Sequence, residues 1–300
     1  MKEVSVAGEH GIRKWGWIAF FLGPSLGGLL IFVIGPILSS LGLTLFEWDL
    51  RTAPEFIGFA NFIDLFHDSA FWQAFKHTLT FIIFYIPAVL VLALGTALLL
   101  HQPLRGIALF RTTVFVPVVS SWVVVSLMWK WIFNPRFGLL NYWLSQIGID
   151  GPNWLFDHDT ALYAIIITSI WKDIGFIAVM YLAGLQGIPE NFYEAARIDG
   201  AGLWQRLRYI TLPLLTPTTF FALMISLINS FQVFEQVWLM PEPLAERGTT
   251  VVVERIITHA FSYSRMGYAA TMSWVLFAVI FAITLIQLRL QNRWVHYDYS

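Results

Sequence analysis

Cysteine is absent from the 300-residue chain, so disulfides, thiolate metal ligands and a cysteine nucleophile are excluded. Charge is also scarce, because charged residues make up 12% of the chain while hydrophobic residues make up 57%. Soluble domains carry about twice that share of charge. The formal net charge of −1 provides no basic surface for nucleic acid. The composition therefore predicts a bundle of membrane helices.

Motifs for catalysis are missing or out of context. The sequence has no P-loop, so we do not expect the chain to hydrolyse ATP. Residues 23–27 match the G-x-S-x-G pattern, but that motif needs a strand–turn–helix elbow, and here it lies in an apolar run beside Pro24. The seven histidines are scattered without metal-ligand spacing. We expect no catalytic site, metal site or cofactor in this chain.

Six apolar stretches are long enough to cross a bilayer, which takes about 20 residues. Their approximate bounds are 15–46, 75–100, 108–133, 161–184, 214–240 and 268–288. The sequence therefore predicts an all-α polytopic bundle, with the first stretch retained as a helix. Pro87 and Pro117 are expected to interrupt the second and third stretches.

The lysines and arginines that flank these stretches predict the orientation of the chain. With both termini in the cytoplasm, ten Lys and Arg side chains fall in inside segments and six in outside segments, as the positive-inside rule expects. The chain then divides into a cytoplasmic segment 1–14, a first helix with its outer loop 15–74, a core 75–288 and a cytoplasmic tail 289–300. The core includes an inside loop at 188–213.

This inside loop is predicted to fold as a helix–turn–helix. Pro189 and Glu190 suit the first turn of a helix, and Gly200 and Gly202 allow a sharp break after it. A second short helix would present apolar side chains rimmed by charge, namely Leu203, Trp204 and Leu207 with Arg206 and Arg208. Such a surface indicates docking to another protein.

A spaced motif runs through the loop: Glu194-Ala195-Ala196, three residues, Gly200, nine residues, then Ile210-x-Leu212-Pro213. The motif resembles the EAA loop of binding-protein-dependent ABC permeases. The surrounding residues resemble the carbohydrate branch of that family, of the maltose and glycerol-3-phosphate type. One departure is visible after the fifth stretch, where many relatives carry a Gly-Gly-Pro turn and this chain has Pro241-Glu242-Pro243.

The resemblance implies a type I ABC importer permease in a bacterial or archaeal inner membrane. Its implied partners are a second permease subunit, usually a different chain, an ATPase dimer that binds ATP and Mg, and an external solute-binding protein. The residues implied to couple to the ATPase are Glu194, Ala195, Ala196, Asp199, Gly200 and Gly202. Glu194 would make a polar contact, Gly200 would set the turn, and Ala195 and Ala196 would allow close approach. The alternative is a surface helix with ordinary capping.

The implied solute is a sugar or oligosaccharide, with glycerol-3-phosphate or a glycerophosphodiester as the alternative. A different class, the ion-coupled secondary transporter, would lead us to expect an inverted repeat, and the sequence shows none. That class also leaves the spaced loop motif unexplained.

Polar residues within the fifth stretch are candidates for the solute pathway. On a continuous helix Ser226, Asn229, Ser230 and Gln236 would share one face, and their hydroxyls and amides suit a polyhydroxylated ligand, whereas Glu235 would lie off that face. Phe231 and Gln232 from the fifth stretch, and Lys172 and Tyr181 from the fourth, complete the predicted set. Lys172 would be the natural partner of a phosphate. Hydrogen bonding between helices is the alternative role for these groups.

Overall fold

The computed structural model describes residues 12–103, 105–243 and 245–295, with side chains described for all of these except 12–16, 246 and 247. Within this part of the chain the regular secondary structure is helical, apart from one two-stranded hairpin, which confirms the predicted all-α class. The helices are α1 (Ile12–Leu29), α2 (Gly35–Leu43), α3 (Ala60–His67), α4 (Ser69–Leu100), α5 (Ile107–Val119), α6 (Trp122–Ile132), α7 (Leu139–Gln146), α8 (Ala161–Gln186), α9 (Glu190–Ile198), α10 (Leu203–Arg206), α11 (Leu212–Leu214), α12 (Thr216–Phe231), α13 (Glu235–Leu239), α14 (Glu246–Thr249), α15 (Val252–Ile257) and α16 (Met266–Gln291). The strands are β1 (Phe46–Glu47) and β2 (Glu55–Phe56). Three π-helical turns (Leu30–Ile34, Leu207–Thr211 and Thr258–Ser262) and a 3₁₀ turn (Trp154–Phe156) complete the elements.

Five segments of the described chain are long and apolar enough to cross a membrane, and these are Trp17–Leu43, Ser69–Leu100, Ala161–Gln186, Thr216–Leu239 and Met266–Gln291. The helices α5 and α6 are bent by 100° relative to each other, and only the two together are long enough to count as a sixth crossing. The bend lies at Ser120 and Ser121, just beyond Pro117, and the Ser121 hydroxyl accepts a hydrogen bond from the backbone N–H of Val123 at 3.3 Å. The expected interruption at Pro87 is wrong, since α4 continues through this residue.

The chain forms two compact units, and the first comprises Met1–His67 and His259–Trp274. In its described part, β1 and β2 pair antiparallel with Phe46 opposite Phe56. The Asn61 side-chain amide donates to the carbonyls of Thr44 and Phe46 at 2.9 and 3.0 Å and so holds α3 against the hairpin. Between the strands, Asp49 accepts hydrogen bonds from Thr52 and Arg51, which lower its pKa to about 2.

The second unit comprises Asp68–Thr258 and Val275–Ser300 and contains the membrane core. Its most extensive helix contact is between α4 and α8, where small residues allow the helices to pack closely. Ala93, Ala97, Ala164 and Ala178 are fully buried there. The side chain of Asp68 begins α4 by accepting the N–H groups of Ala70 and Phe71 at 2.9 and 3.2 Å.

Two glycines of α8 mark still closer approaches in the second unit. A Cβ atom on Gly175 would lie 2.2 Å from the Val114 carbonyl of α5, and one on Gly184 would lie 2.4 Å from the Thr218 hydroxyl of α12. These contacts fix α8 against both neighbours. The predicted segment 1–14 lies outside the described residues except for 12–14, and the tail 289–300 is described as far as 295.

Candidate functional site

The spaced loop motif folds as α9, a glycine turn and α10. The helix α9 ends at Ile198, and Gly200 follows with a φ of +76°. The N–H of Gly200 donates to the Arg197 carbonyl at 3.1 Å, and the N–H of Ala201 donates to the Ala196 carbonyl at 2.8 Å. This pair of bonds is the Schellman motif, in which a left-handed residue ends a helix. Gly200 therefore has a defined conformational role in the turn.

Gly202 has a different role from Gly200. Its φ of −71° lies in the region open to any residue, and it is the N-cap of α10. Its N–H donates to the Gln205 side-chain oxygen at 2.7 Å, which satisfies a donor at the start of the helix. Within the loop, α9 is joined to the π-helical turn Leu207–Thr211 by a hydrogen bond of 3.0 Å between the hydroxyls of Tyr193 and Thr211.

The loop exposes four large apolar side chains, which we call the coupling surface: Ile198, Leu203, Trp204 and Tyr209 are 87, 80, 72 and 75% exposed. Glu194, Ala195 and Asp199 are exposed beside them, while Ala196 is half-buried. Leu207 and Arg206, which we expected on the outer faces of the second helix, are half-buried, because a π-helical turn follows α10 directly. The coupling surface has the character of a docking site.

An open cavity of about 140 Å³ lies among α4, α6, α8, α12 and α13 in the second unit. It is lined by Phe81, Tyr85, Trp122, Asp173, Asn229, Ser230, Gln232, Val233, Glu235 and Gln236. Four of the residues predicted for the solute pathway are among them, namely Asn229, Ser230, Gln232 and Gln236. We call this the polar cavity.

The fifth span is not one continuous helix, which corrects the assumption used to group its polar residues. The helix α12 ends at Phe231 and α13 begins at Glu235, with Gln232–Phe234 between them. Phe234, with φ −146° and ψ −61°, is the non-helical residue that precedes α13. The break turns Glu235 into the polar cavity, although on a continuous helix it would lie off the shared face.

The other four predicted pathway residues do not line the polar cavity. Ser226, Phe231 and Tyr181 are buried in helix packing, at 1, 1 and 2% exposure. Lys172 is 7% exposed, and its Nζ donates to the Val118 carbonyl at the end of α5 at 3.2 Å. Their predicted contact with solute remains a prediction.

Lys172 therefore lies where α5 ends and the chain bends toward α6. Its ammonium group is also 4.9 Å from the centre of the Trp122 ring, within the range of a cation–π interaction. A cation near helix C-terminal carbonyls is favourable, because those carbonyls carry partial negative charge. The contacts of Lys172 are thus internal to the bundle.

Three aromatic residues of the cavity were not predicted from the sequence. Tyr85 donates its hydroxyl to Asp173 Oδ2 at 2.7 Å, and its ring stacks on Phe81 with the ring centres 5.2 Å apart. Trp122, the first residue of α6, also lines the cavity. Asp173 could have been found from the sequence, because a charged residue in the middle of a span is rare. The three aromatic residues could not, because the chain has 50 aromatic residues and nothing local distinguishes these three.

Lys130 and Glu242 connect α6 to the segment 241–243, where this chain has Pro-Glu-Pro in place of the Gly-Gly-Pro turn of many relatives. Lys130 Nζ lies 2.9 Å from Glu242 Oε1, and the N–H of Glu242 donates to the Leu155 carbonyl at 3.0 Å. The segment 241–243 is therefore held to α6 and to the 3₁₀ turn.

Comparison with known proteins adds three findings. Residues 66–296 match the sequence model of the family described as the binding-protein-dependent transport system inner membrane component. The probable ABC transporter permease protein YesP of Bacillus subtilis strain 168 is 36% identical, over 97% of this chain and 95% of that protein. The lactose transport system permease protein LacF of Rhizobium radiobacter is 34% identical, over 91 and 92%.

A solved structure also resembles the chain closely. It is the crystal structure of a bacterial alginate ABC transporter in complex with an alginate pentasaccharide-bound periplasmic protein, in which the matching chain is 28% identical with a TM-score of 0.80. The match covers 94% of this chain and 95% of that one.

Proposed function

This chain belongs to the binding-protein-dependent transport system inner membrane component family, the permease subunits of ABC importers, and we propose from that premise that it forms half of the translocation pathway for a sugar or oligosaccharide. The observation that carries the proposal is the loop 188–213, in which a Schellman turn fixes two short helices and leaves the coupling surface exposed. The polar cavity supplies hydroxyls, amides and aromatic faces for a polyhydroxylated solute.

Permease subunits of this family are not enzymes themselves. We expect ATP hydrolysis in a separate ATPase dimer that binds ATP and Mg, while this chain binds no cofactor. Closure of the ATPases would move the permeases as rigid bodies between inward and outward states. This chain would receive that motion at the coupling surface and through the predicted coupling residues of the same loop, Glu194, Ala195, Ala196, Asp199, Gly200 and Gly202.

The other expected partners are a second, different permease subunit and an external solute-binding protein. Homologous importers work with a binding protein, as the alginate transporter complex illustrates. In this arrangement the chain is a multi-pass protein of the inner membrane with both termini in the cytoplasm, since the loop 188–213 must face the ATPases.

Uptake into proteoliposomes that contain the complete transporter tests the proposal. ATP-dependent accumulation of a labelled oligosaccharide is expected when the binding protein is present. Uptake driven by an ion gradient without ATP would overturn the proposal in favour of a secondary transporter. Uptake of glycerol-3-phosphate but of no sugar would favour the phosphate alternative.

Substitutions in α9 and in the turn that follows it test the coupling role separately. We expect Glu194→Lys to abolish uptake and to weaken association with the ATPase, and Gly200→Pro to do the same because proline cannot adopt a positive φ. Glu190→Lys is the matched control, since Glu190 is an exposed carboxylate of the same helix whose partner is Arg197 at 3.5 Å. Normal uptake by both Glu194→Lys and Gly200→Pro would contradict the role.

A further inference from the structure

Two acidic side chains line the polar cavity. Asp173 and Glu235 are in its lining, and none of the described lysines or arginines is. Glu235 is an exposed side chain of the isolated subunit, at the break between α12 and α13. A solute that enters the polar cavity therefore meets two carboxyl groups from this chain.

Lys172 precedes Asp173 in α8, but its side chain makes its contacts with α5 and α6. Consecutive residues of a helix point about 100° apart, so the two side chains leave α8 in different directions. The Lys172 ammonium donates to the Val118 carbonyl at 3.2 Å and lies 4.9 Å from the Trp122 ring centre. Its nearest contacts are therefore the end of α5 and the Trp122 ring, and Lys172 itself is not among the residues that line the polar cavity.

The remaining lining suits uncharged sugar rings. Tyr85 holds Asp173 in place through its hydroxyl at 2.7 Å, which leaves carboxyl oxygens as acceptors for solute hydroxyls. Asn229 and Gln232 add amides that both donate and accept. Trp122, which is half-buried, adds an apolar ring against which the C–H surface of a sugar can pack.

We infer that the polar cavity accepts sugars without negative charge and discriminates against uronates and sugar phosphates. The inference rests on the proposed function and narrows its substrate class. Discrimination arises because an anionic group of the solute would lie near two carboxyl groups, while no described lysine or arginine lines the cavity to pair with it. Repulsion of the wrong solute would then provide the specificity. Asp173 and Glu235 are the residues that determine it, and the glycerol-3-phosphate alternative becomes the disfavoured one.

The test measures binding to the complete membrane transporter, solubilised without its binding protein, by ligand-observed NMR. Maltotriose is the uncharged probe and trigalacturonate the anionic probe of equal length. We expect maltotriose to bind at least about tenfold more tightly. Glu235→Gln, alone and with Asp173→Asn, is expected to raise trigalacturonate affinity by about tenfold, because the repulsion is removed. Glu242→Gln is the matched control, since Glu242 pairs with Lys130 and does not line the polar cavity.

Three results would overturn the inference: equal or tighter binding of trigalacturonate by the wild type, an unchanged ratio in both variants, or binding of neither probe. The ATPase activity of each variant complex shows that it is assembled. Labelled uptake by the same preparation separates this inference from the proposed function. ATP-driven uptake of the uronate overturns only the inference, whereas ATP-independent uptake of sugar overturns the function.

Discussion

Gly200 carries the turn of the coupling loop through its backbone conformation alone. A Cβ atom there would meet nothing within 4 Å, so space does not require glycine. The φ of +76° requires glycine, because any other L-residue in the left-handed region costs roughly 1–2 kcal/mol. The spacing of the motif predicted a turn at this residue, and the Schellman bonds explain it.

Gly200→Ala is accordingly expected to lower uptake and coupled ATPase activity while leaving the membrane core intact. The strain of about 1 kcal/mol acts on the ordering of α9 against α10. Gly187→Ala is the matched control, because Gly187 lies outside the predicted coupling residues, has a φ of −79°, and a Cβ there lies 3.4 Å from its nearest neighbour. Measured uptake that falls equally in the two variants would contradict the role assigned to Gly200.

Gly175 illustrates the opposite case, in which space requires glycine. A methyl group would overlap the Val114 carbonyl of α5, so Gly175→Ala is expected to destabilise the bundle by about 1–3 kcal/mol. Gly95→Ala, in the open interior of α4, should be neutral or stabilise by up to about 1 kcal/mol. Thermal melting of the detergent-solubilised protein measures both, and equal melting temperatures would contradict the close approach of α5 and α8.

Sequence reasoning reached Gly200 but not Gly175 for a physical reason. The first residue belongs to a local motif whose members lie within one short loop. The requirement at Gly175 comes from α5, more than 50 residues earlier in the chain, and only the packed structure brings the Val114 carbonyl close. Asp173 and Tyr85 meet in the same way, across α8 and α4.

At the scale of elements, the sequence located the membrane helices better than the breaks within them. No proline or glycine lies between Phe231 and Glu235, so nothing local signalled that α12 would end there. Proline misled in α4, where the helix continues through Pro87. Grouping the polar residues on a continuous helix therefore excluded Glu235, which the observed break brings into the lining of the polar cavity. Ser226 lies on α12 before the break and is buried.

Lys172 donates a hydrogen bond to the last turn of α5, beside the bend between α5 and α6, and we expect this bond to stabilise the bend. Lys172→Met would keep the length of the side chain but leave the Val118 carbonyl without this donor. Losing a charged hydrogen bond of about 1.5–3 kcal/mol should raise local opening, so amide hydrogen exchange at residues 119–123 is expected to accelerate about tenfold or more.

Lys130→Met is the control for that experiment, because Lys130 pairs with Glu242 at 2.9 Å, away from the bend. Both variants remove one lysine, so a general effect of charge would appear in each. Unchanged exchange at residues 119–123 in Lys172→Met would show that the Ser121 cap alone maintains the bend.

At the scale of the whole molecule, composition and the length of the apolar runs predicted the all-α bundle, because a spanning helix must satisfy its own backbone. Six apolar stretches were predicted, and the described residues contain five such spans and one bent pair of helices. The division into two compact units was not predicted. His259–Trp274 joins the unit of Met1–His67 although nearly 200 residues separate them in the chain. Gly267 shows why, since its Cα packs against the Phe46 carbonyl in a contact that no local pattern encodes.

The absence of cysteine provides a direct test of the proposed orientation, because any introduced thiol is the only one in the chain. Ile198 on the coupling surface and Ile147 after α7 are 87 and 70% exposed, so Ile198→Cys and Ile147→Cys should fold and react. A membrane-impermeant maleimide is expected to label Ile147→Cys in intact cells and Ile198→Cys in inside-out vesicles of the permease expressed without its ATPase. Co-expression of the ATPase should then protect Ile198→Cys, since the coupling surface would be covered, while labelling of Ile147→Cys is unchanged. Labelling of Ile198→Cys from outside intact cells would reverse the orientation and, with it, the assignment of the loop to the ATPases.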